Sequence, residues 1–395
     1  VLAVKTIRQN HHASAELLRL LDEFRRMVNV CIAIGTKENV SSLKTLSLKS
    51  YHHLSRDILG YYRLCAISTA TRILHNHRKA NKKKNHRATV PYARRLMLTT
   101  CYGFNGLLRL PVKPREYVYV KLNSHTLQVL SGLNVHSVTF TPDALSISFS
   151  KDTVEIEPEG YIGVDRNLDN VTTASANGMV KTFDLSKATG IKSTYRFVKS
   201  RFKRNYSRTR AQIFSKYGKK QRNRVLPILH NVSKRIVENA KTRRYGIIME
   251  RLTGMRRLFQ KDNGQSRNYR AKMNSWSYGE LQRQIEYKAR WEGVKIIYVP
   301  ARNTSKRCSI CGYKTLESTQ RRLWCPHCGA ILDRDENAAR NIAAGGLRFS
   351  PNGPPGEAMV EEREPADETL ILKVDGGKLS QRARAISPDE DLTEP

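Results

Sequence analysis

The chain has few acidic residues for its size. Its 395 residues include 35 Asp and Glu against 70 Lys and Arg, which gives a formal net charge of +35. So positive a field binds anionic polymers with little discrimination, which disfavours an ordinary metabolic enzyme. Nucleic acid is therefore the expected partner, ahead of an anionic membrane surface.

Long apolar runs are also lacking. No run approaches the ~18 residues of a membrane span, and the N-terminus has no charged-then-apolar signal pattern. The hydrophobic fraction of 39% is sufficient to bury cores in two or three domains. We therefore expect an intracellular, cytoplasmic protein with no membrane partner.

The scarce acids are unevenly placed. Residues 350–395 hold 11 acidic and 5 basic residues and are rich in Pro and Gly. This acidic tail is predicted to be mostly disordered. A solvated appendage is the preferred interpretation, and competition with nucleic acid for the basic surface is the alternative.

The N-terminal part combines helical and strand periodicities. A short strand over residues 2–7 precedes two amphipathic helices, predicted over 14–34 and 54–78. A basic turn follows, in which we expect Lys82, Lys83 and Lys84 to contact phosphates. From residue 108 to 157 the period changes to two, typical of strands. The pattern predicts a small β-barrel or sheet interrupted by a helical insertion at about residues 11–105.

Three acids follow short apolar segments or open a helix. Asp165 ends the run Tyr161–Val164, Glu250 ends the run Tyr245–Met249 85 residues later, and Asp335 stands at the start of a predicted helix. Each has a simple structural explanation, such as a turn, an ion pair or a helix cap. In a chain so poor in acids their combination favours a two-metal phosphodiesterase, because carboxylates repel a phosphate unless divalent metal intervenes.

A long basic stretch separates the first two acids. Residues 185–237 contain 16 Lys and Arg and no Asp or Glu, with six aromatic residues interleaved. The density fits helices that lie along a sugar-phosphate backbone, with most aromatics packed inward. The candidate nucleic-acid-binding residues here are Lys199, Arg201, Lys203, Arg204, Arg208, Arg210, Lys219, Lys220, Arg222 and Arg224.

Two C-x-x-C pairs form the most specific local motif. Thirteen residues separate Cys308 and Cys311 from Cys325 and Cys328, and a glycine follows each pair. Four thiolates at this spacing predict one closed, structural Zn²⁺ site, with His327 outside it. A disulfide framework is the competing interpretation, but the total of seven cysteines is odd and no secretory signal is present. A nucleobase deaminase would need a His-x-Glu partner, which the chain lacks.

The order of these motifs resembles the transposon-encoded TnpB (OrfB) family of RNA-guided nucleases, which is related to type V CRISPR effectors. The resemblance is specific from about residue 161 to 342. It rests on Gly163-Val164-Asp165-Arg166-Asn167, Ile247-Ile248-Met249-Glu250-Arg251-Leu252, Asn303-Thr304-Ser305, the two cysteine pairs and Asp333-Arg334-Asp335-x-Asn337. Asn167 stands where the family usually has Gly or another small residue.

The resemblance implies an α+β multidomain protein. Its RNase H-like (RuvC) nuclease domain would span residues 159–300 and 331–349, with a zinc ribbon inserted at 301–330. A β-barrel-like wedge domain would comprise residues 1–10 and 106–158, interrupted by a helical recognition lobe at 11–105. Asp165, Glu250 and Asp335 match the family's Mg²⁺-binding catalytic acids, and Asp333 is a rival for the third position.

The family also implies partners and a reaction. These are a guide RNA from the transposon end, a double-stranded DNA target that pairs with it, and a short flanking DNA motif. Two Mg²⁺ ions, for which Mn²⁺ can substitute, would support cleavage of the DNA. Two alternatives stay open, namely an RNA-guided protein that binds DNA without cutting it, and a zinc-ribbon nucleic-acid-binding protein with a structural RuvC-like core.

Overall fold

The computed structural model describes most of the chain before the acidic tail. The described residues are 2–82, 90, 92–100, 107–113, 115–175, 177–202, 206–261, 263–301, 303–318 and 321–348. They form two compact units, one of residues 4–151 and one that begins at residue 152. The predicted disorder of residues 350–395 falls outside the described residues.

The described residues of the first unit form four α-helices. They are α1 (Ala15–Lys37), α2 (Leu43–Ser50), α3 (Gly60–Lys82) and α4 (Ser124–Leu130). The Ser14 hydroxyl accepts a hydrogen bond from the Leu17 N–H at 3.2 Å, which caps α1. The predicted apolar face of α1 is buried, including Phe24 and Cys31. The second predicted helix begins at Gly60 rather than residue 54, after a 3₁₀ turn at Tyr51–His53.

Within the same described segments, six strands accompany these helices. They are β1 (Leu2–Asn10), β2 (Leu98–Thr100), β3 (Leu107–Lys113), β4 (Glu116–Lys121), β5 (Asn134–Phe140) and β6 (Ala144–Asp152). One sheet has the order β1-β6-β5-β2, and β3 and β4 form a separate antiparallel pair. Leu145, Ile147 and Phe149 of β6 are buried, as the period of two predicts.

The second unit is built around a five-stranded sheet. Its strands are β7 (Gly160–Arg166), β8 (Asn170–Ser175), β9 (Val180–Asp184), β10 (Tyr245–Arg251) and β11 (Ile296–Pro300). The spatial order is β11-β10-β7-β8-β9. β7, β8 and β9 are antiparallel neighbours, whereas β10 pairs in parallel with both β7 and β11.

The remaining elements of this unit are helices and a small sheet. The helices are α5 (Ser186–Ser200), α6 (Ser207–Thr242), α7 (Arg267–Asn274), α8 (Tyr278–Glu292) and α9 (Arg334–Arg348). The small antiparallel sheet comprises β12 (Leu316–Glu317), β13 (Arg322–Trp324) and β14 (Ile331–Asp333). A 3₁₀ turn occupies Met255–Phe259.

The two faces of the five-stranded sheet pack against different helices. Ile162 and Val164 of β7 lie in one apolar cluster with residues of α6 and α8, including Ile236 and Ile285. Tyr161 lies in a second cluster on the other face, which includes a residue of α9. Because side chains alternate along a strand, residues 161, 163 and 165 share the α9 face.

The mixed α/β character that the sequence predicts is therefore confirmed. None of the helices in the described segments has the length and apolar composition that a membrane span requires.

Candidate active site and metal centre

Asp165 and Glu250 stand at the ends of two adjacent parallel strands. Val164 of β7 is in register with Met249 of β10, so the next residues on each strand are neighbours. Alternation places both carboxylates on the α9 face of the sheet. Asp165 is only 8% exposed and Glu250 9% exposed. Burial of two carboxylates side by side is costly and calls for compensation.

The third acid reaches this face because α9 crosses β7 at close range. A Cβ atom built on Gly163 would lie 2.2 Å from the Ala339 carbonyl oxygen and 2.4 Å from the Ala343 nitrogen. Only glycine permits that approach of helix to strand. Asp335, in the first turn of α9, is 7% exposed. All three predicted acids are thus brought together from three elements.

Asp333 has a different role from Asp335. Its Oδ1 accepts hydrogen bonds from the backbone N–H groups of Asp335 and Glu336, both at 2.9 Å, so it caps the N-terminus of α9. Asp333 is an exposed residue. The geometry therefore favours Asp335 over Asp333 as the third acid of the cluster.

Each carboxylate of the trio has a polar partner. Asn167 Nδ2 donates to Asp165 Oδ2 at 2.7 Å, and Asn170 Nδ2 donates to Asp335 Oδ2 at 3.0 Å. The Thr304 hydroxyl donates to Glu250 Oε1, and the Arg321 guanidinium forms an ion pair with Asp335 Oδ1. The sequence reasoning assigned no role to these four partners.

The motifs contain a signal for three of the four partners. Asn167 and Asn170 follow Asp165 closely, and Thr304 belongs to the Asn303-Thr304-Ser305 segment of the resemblance. Arg321 has no such signal, because it reaches Asp335 from the loop before β13. Asn167, the departure from the family pattern, holds the Asp165 carboxylate in place.

The electrostatics around the three acids favour the binding of protons or cations. Burial raises the pKa of Asp165 to about 7, and the nearby charges of Glu250 and Asp335 contribute to the rise. Burial also raises the pKa of Glu250, although Thr304 and Arg166 lower it. Carboxylate oxygens are the donors that hard divalent cations take, and a cation among them would remove the repulsion. The chemical type of these donors therefore suits a divalent metal.

Arg166 ties the two strand ends together from the opposite face. It is 2% exposed, and its guanidinium donates to the Glu250 backbone carbonyl and, from Nη1, to Gln282 Oε1 at 2.7 Å. Gln282 in turn donates to Glu286 Oε1 at 2.8 Å. These contacts connect β7 and β10 to α8 and so fix the separation of Asp165 and Glu250.

The four predicted cysteines form a second cluster. The Sγ atoms of Cys308, Cys311, Cys325 and Cys328 all lie within 4.8 Å of one another, so they could hold a metal such as zinc. They are free thiols and not disulfides. Gly312 and Gly329 have φ angles of +76° and +73°, which the tight turn after each pair requires. The sequence predicts that His327 lies outside this cluster. Its ring stacks on Tyr313, and the cluster consists of the four cysteines.

The cysteine cluster is linked to α9 by side-chain amides. Asn337 Oδ1 accepts from the Ser309 N–H at 2.8 Å, and Asn337 Nδ2 donates to the Arg307 carbonyl at 2.7 Å. Asn341 donates to the Thr304 carbonyl at 2.8 Å. The loop that carries the first two cysteines is therefore attached to the helix that carries Asp335.

Most of the candidate nucleic-acid-binding residues lie on α5 and α6. Arg208, Arg210, Lys219, Lys220, Arg222 and Arg224 are exposed on α6, Lys199 is half-buried on α5, and Arg201 is exposed just after it. Lys83, Lys84, Lys203 and Arg204, and the side chain of Lys82, lie outside the described residues. The inward packing expected of the aromatics holds for Tyr195, but Phe197 is 60% and Tyr206 90% exposed.

Comparison with known proteins gives one family match and several relatives. Residues 278–342 match the family described as "Cas12f1-like, TNB domain". The chain is 28% identical over 257 residues to TnpB-like protein MJ0751 of Methanocaldococcus jannaschii (strain ATCC 43067 / DSM 2661 / JAL-1 / JCM 10045 / NBRC 100440). The alignment covers 61% of this chain and 91% of the relative. It is 36% identical over 119 residues to the CRISPR-associated endodeoxyribonuclease Cas12f1 of Sulfoacidibacillus thermotolerans, covering 29% of this chain and 25% of that protein.

A solved structure shares the fold. The Cas12f1 chain of a Cas12f1–sgRNA–target DNA complex superposes with a TM-score of 0.54 at 16% identity, covering 83% of this chain and 81% of that chain. At this identity the likeness concerns the fold alone. Together with the sequence relatives, these matches confirm the resemblance that the motifs predict: this chain is similar to TnpB-like proteins and to type V effectors of the Cas12f kind.

Proposed function

We propose that this protein is the RNA-guided, metal-dependent DNA endonuclease of a transposable element, which cleaves DNA matched to a guide RNA beside a short flanking motif. One observation carries the proposal: three buried carboxylates from β7, β10 and α9 meet on one face of a sheet in a strongly basic protein. Two relatives support it by their names: the CRISPR-associated endodeoxyribonuclease Cas12f1 of Sulfoacidibacillus thermotolerans, and the "Putative RNA-guided DNA endonuclease InsQ" of Escherichia coli (strain K12), which is 38% identical over 69 residues.

The proposed nuclease domain has the RNase H-like (RuvC) fold. The sheet order β11-β10-β7-β8-β9, with three antiparallel strands followed by two parallel ones, supports that assignment. We keep the proposed boundaries of this domain at 159–300 and 331–349, with the zinc ribbon at 301–330. The wedge-like domain and its helical recognition lobe remain proposals for residues 1–158.

In the proposed mechanism the three carboxylates act as metal ligands. Asp165, Glu250 and Asp335 would hold two Mg²⁺ ions, which when bound supply an activated water and stabilise the leaving oxygen of the phosphodiester. Asn167 and Thr304 orient the Asp165 and Glu250 carboxylates through their hydrogen bonds. Arg321 supplies a positive charge beside Asp335, where the anionic DNA backbone would enter.

The four cysteines are proposed to bind one structural zinc ion. Four thiolates leave no open position for catalysis, so the ion would act on folding alone. Through Ser309 and Asn337 the ribbon is attached to α9, and through Thr304 the neighbouring segment contacts Glu250. Zinc would therefore stabilise the arrangement of the catalytic acids without taking part in the reaction.

The guide RNA and the target DNA are proposed as partners on the grounds of charge. The exposed Lys and Arg side chains of α6 offer phosphate contacts along a helix of 36 residues. Such contacts recognise a backbone and carry no sequence information, which fits recognition by base pairing to a guide.

The two alternatives explain less of the site. An RNA-guided protein that binds without cutting has no need of three clustered acids, yet all three are present and buried here. A purely structural core would gain nothing from adjacent carboxylates, because burial, together with the charges of Glu250 and Asp335, raises the pKa of Asp165 and costs stability.

The test is cleavage by protein purified together with its RNA. We expect matching double-stranded DNA to be cut in the presence of Mg²⁺ or Mn²⁺ and not in their absence. Asp165→Ala should keep RNA binding and abolish cutting, with Asp152→Ala, a change of an exposed Asp outside the cluster, as the matched control. Unchanged cutting by Asp165→Ala would overturn the mechanism. Binding of matched DNA without cutting by the wild type would favour the first alternative, an RNA-guided protein that binds DNA without cutting it.

A further inference from the structure

A cleft of about 480 Å³ lies between α5 and α7. Its lining includes Lys192, Arg196 and Lys199 on the α5 side and Asn268, Tyr269 and Lys272 on the α7 side. This volume is within the range of about 300–1,000 Å³ that is usual for small-ligand sites. None of the described residues that line the cleft carries a carboxylate.

The positive charge of the cleft is poorly compensated. Lys272 pairs with Asp169 at 3.6 Å, but Lys199 donates to the neutral Gln221 and Lys192 to the neutral Ser275 carbonyl and Ser277 hydroxyl. Arg196 is exposed and makes no ion pair with any described residue. Burial lowers the pKa of Lys192 and the charge of Arg256 lowers it further, although Glu280 opposes this. Such a surface calls for an anion.

An aromatic ring stands on the opposite wall. Tyr269 is 48% exposed, and its ring and that of Phe259 make an edge-to-face contact with 6.1 Å between centroids. A half-exposed tyrosine facing several cations is the combination that single-stranded nucleic acid recognises, because phosphates meet the cations while an unpaired base stacks on the ring. Paired bases in a duplex have both faces covered and cannot stack in this way.

The cleft borders the cluster of acids. Ser275 lines it, and the next residue, Trp276, donates from Nε1 to the Asn167 carbonyl at 2.7 Å. Asn167 in turn holds the Asp165 carboxylate. Lys272 reaches Asp169 in the turn between β7 and β8. A strand bound in the cleft would thus continue toward the residues proposed to cut it.

We infer that this cleft binds one nucleotide of an unpaired strand of the DNA substrate, with a phosphodiester on Arg196 and Lys199 and an unpaired base on Tyr269. The inference rests on the proposed nuclease function for its choice of DNA over RNA. Its role is to hold the strand beside the acids, so Tyr269 and Arg196 are substrate-binding residues that do not touch the reacting phosphate.

Photocrosslinking locates the site directly. The probe is a fluorescein-labelled ten-nucleotide oligodeoxythymidylate with one 5-iododeoxyuridine, irradiated with the full chain in buffer without Mg²⁺ or Mn²⁺. We expect an adduct on the peptide that contains Tyr269, found by mass spectrometry. An adduct confined to the more exposed Phe197 or Tyr206 would overturn the inference. So would an adduct at Tyr269 with the corresponding oligoribonucleotide and none with DNA.

Binding of the same oligodeoxynucleotide, followed by fluorescence anisotropy, gives a second measurement. Tyr269→Ala should weaken binding at least about fivefold, and Tyr269→Trp should restore it. Arg196→Ala should reduce the slope of log affinity against log salt by about one. Lys187→Ala removes an exposed α5 cation that does not line the cleft and should change neither value. Equal losses in Lys187→Ala and Arg196→Ala would contradict the site.

The outcomes separate this inference from the proposed function. A Tyr269 adduct in a protein that cuts no DNA would support the cleft and overturn the nuclease proposal. Cutting of matched DNA by a protein with no Tyr269 adduct and unchanged affinity in Tyr269→Ala would overturn the cleft alone. Thermal unfolding of Tyr269→Ala and Tyr269→Trp distinguishes a lost contact from a lost fold.

Discussion

Gly163 of β7 lies directly beneath Ala339 of α9, and a Cβ at Gly163 would lie 2.2 Å from the Ala339 carbonyl oxygen. This contact sets the distance between the central strand and the helix that carries Asp335. The position of the third acid over the first two therefore depends on a residue without a side chain.

Gly163→Ala should destabilise the protein and impair cutting together. The added methyl group meets backbone atoms that cannot rotate away, so α9 must shift, at a cost of about 1–3 kcal/mol or more. Thermal unfolding and Mg²⁺-dependent cleavage measure the two effects. Gly218→Ala, in an open position within α6, is the matched control and should be neutral or slightly stabilising. Equal behaviour of the two variants would show that the close approach is unimportant.

Asp335 and Asp333 should respond differently to the same substitution. Asp335→Asn removes a charge from the buried cluster and should lower the cleavage rate at least about a hundredfold. Asp333→Asn keeps a side chain that caps helices well, so we expect cleavage within about fivefold of the wild type. Single-turnover cleavage rates decide the matter, and the reverse ranking would assign the third catalytic position to Asp333.

Stability without divalent metal should fall as the pH rises from about 4 to about 7. The pKa of Asp165 is raised from 3.8 to about 7, so in this window the folded state binds a proton that the unfolded state has lost. The resulting decrease in the free energy of unfolding is fully present above pH 7 and is on the order of a few kcal/mol. Asp165→Asn should abolish this part of the pH dependence and raise the free energy of unfolding at pH 8.

The measurement is chemical denaturation at several pH values in buffer without Mg²⁺ or Mn²⁺. Asp152→Asn, which changes an exposed acid outside the cluster, should follow the wild-type curve. Added Mg²⁺ should stabilise the wild type more at pH 8 than at pH 6, because it competes with the proton for the same carboxylates. Parallel curves for the wild type and Asp165→Asn would contradict the raised pKa.

Removal of two of the clustered cysteines should release the metal. Protein with Cys311→Ser and Cys328→Ser should lose the single zinc ion expected per chain and should unfold at a lower temperature. His327→Ala changes a ring that stacks on Tyr313 and should keep the zinc. Metal analysis by mass spectrometry checks both, and an intact protein without zinc would refute the site.

Local patterns in the sequence were sufficient for several parts of the protein. The cysteine pairs, the strand-ending acids and the acid-free stretch are visible because their meaning depends on spacing and composition within short segments. The face of α1 and the alternation of β6 were predictable for the same reason. The partners of the carboxylates were harder to predict, because Thr304 and Arg321 are distant in sequence from the acids that they contact.

The sequence by itself therefore determined the candidate chemistry: a basic chain, a tetrathiolate site and three scarce acids. Tertiary structure alone decided how they combine. The parallel register of β7 and β10 sets Asp165 beside Glu250, the glycine contact brings Asp335 to them, and capping occupies Asp333. The cleft between α5 and α7 arises in the same way, from helices far apart along the chain. Such relationships depend on packing between elements, which no local pattern encodes.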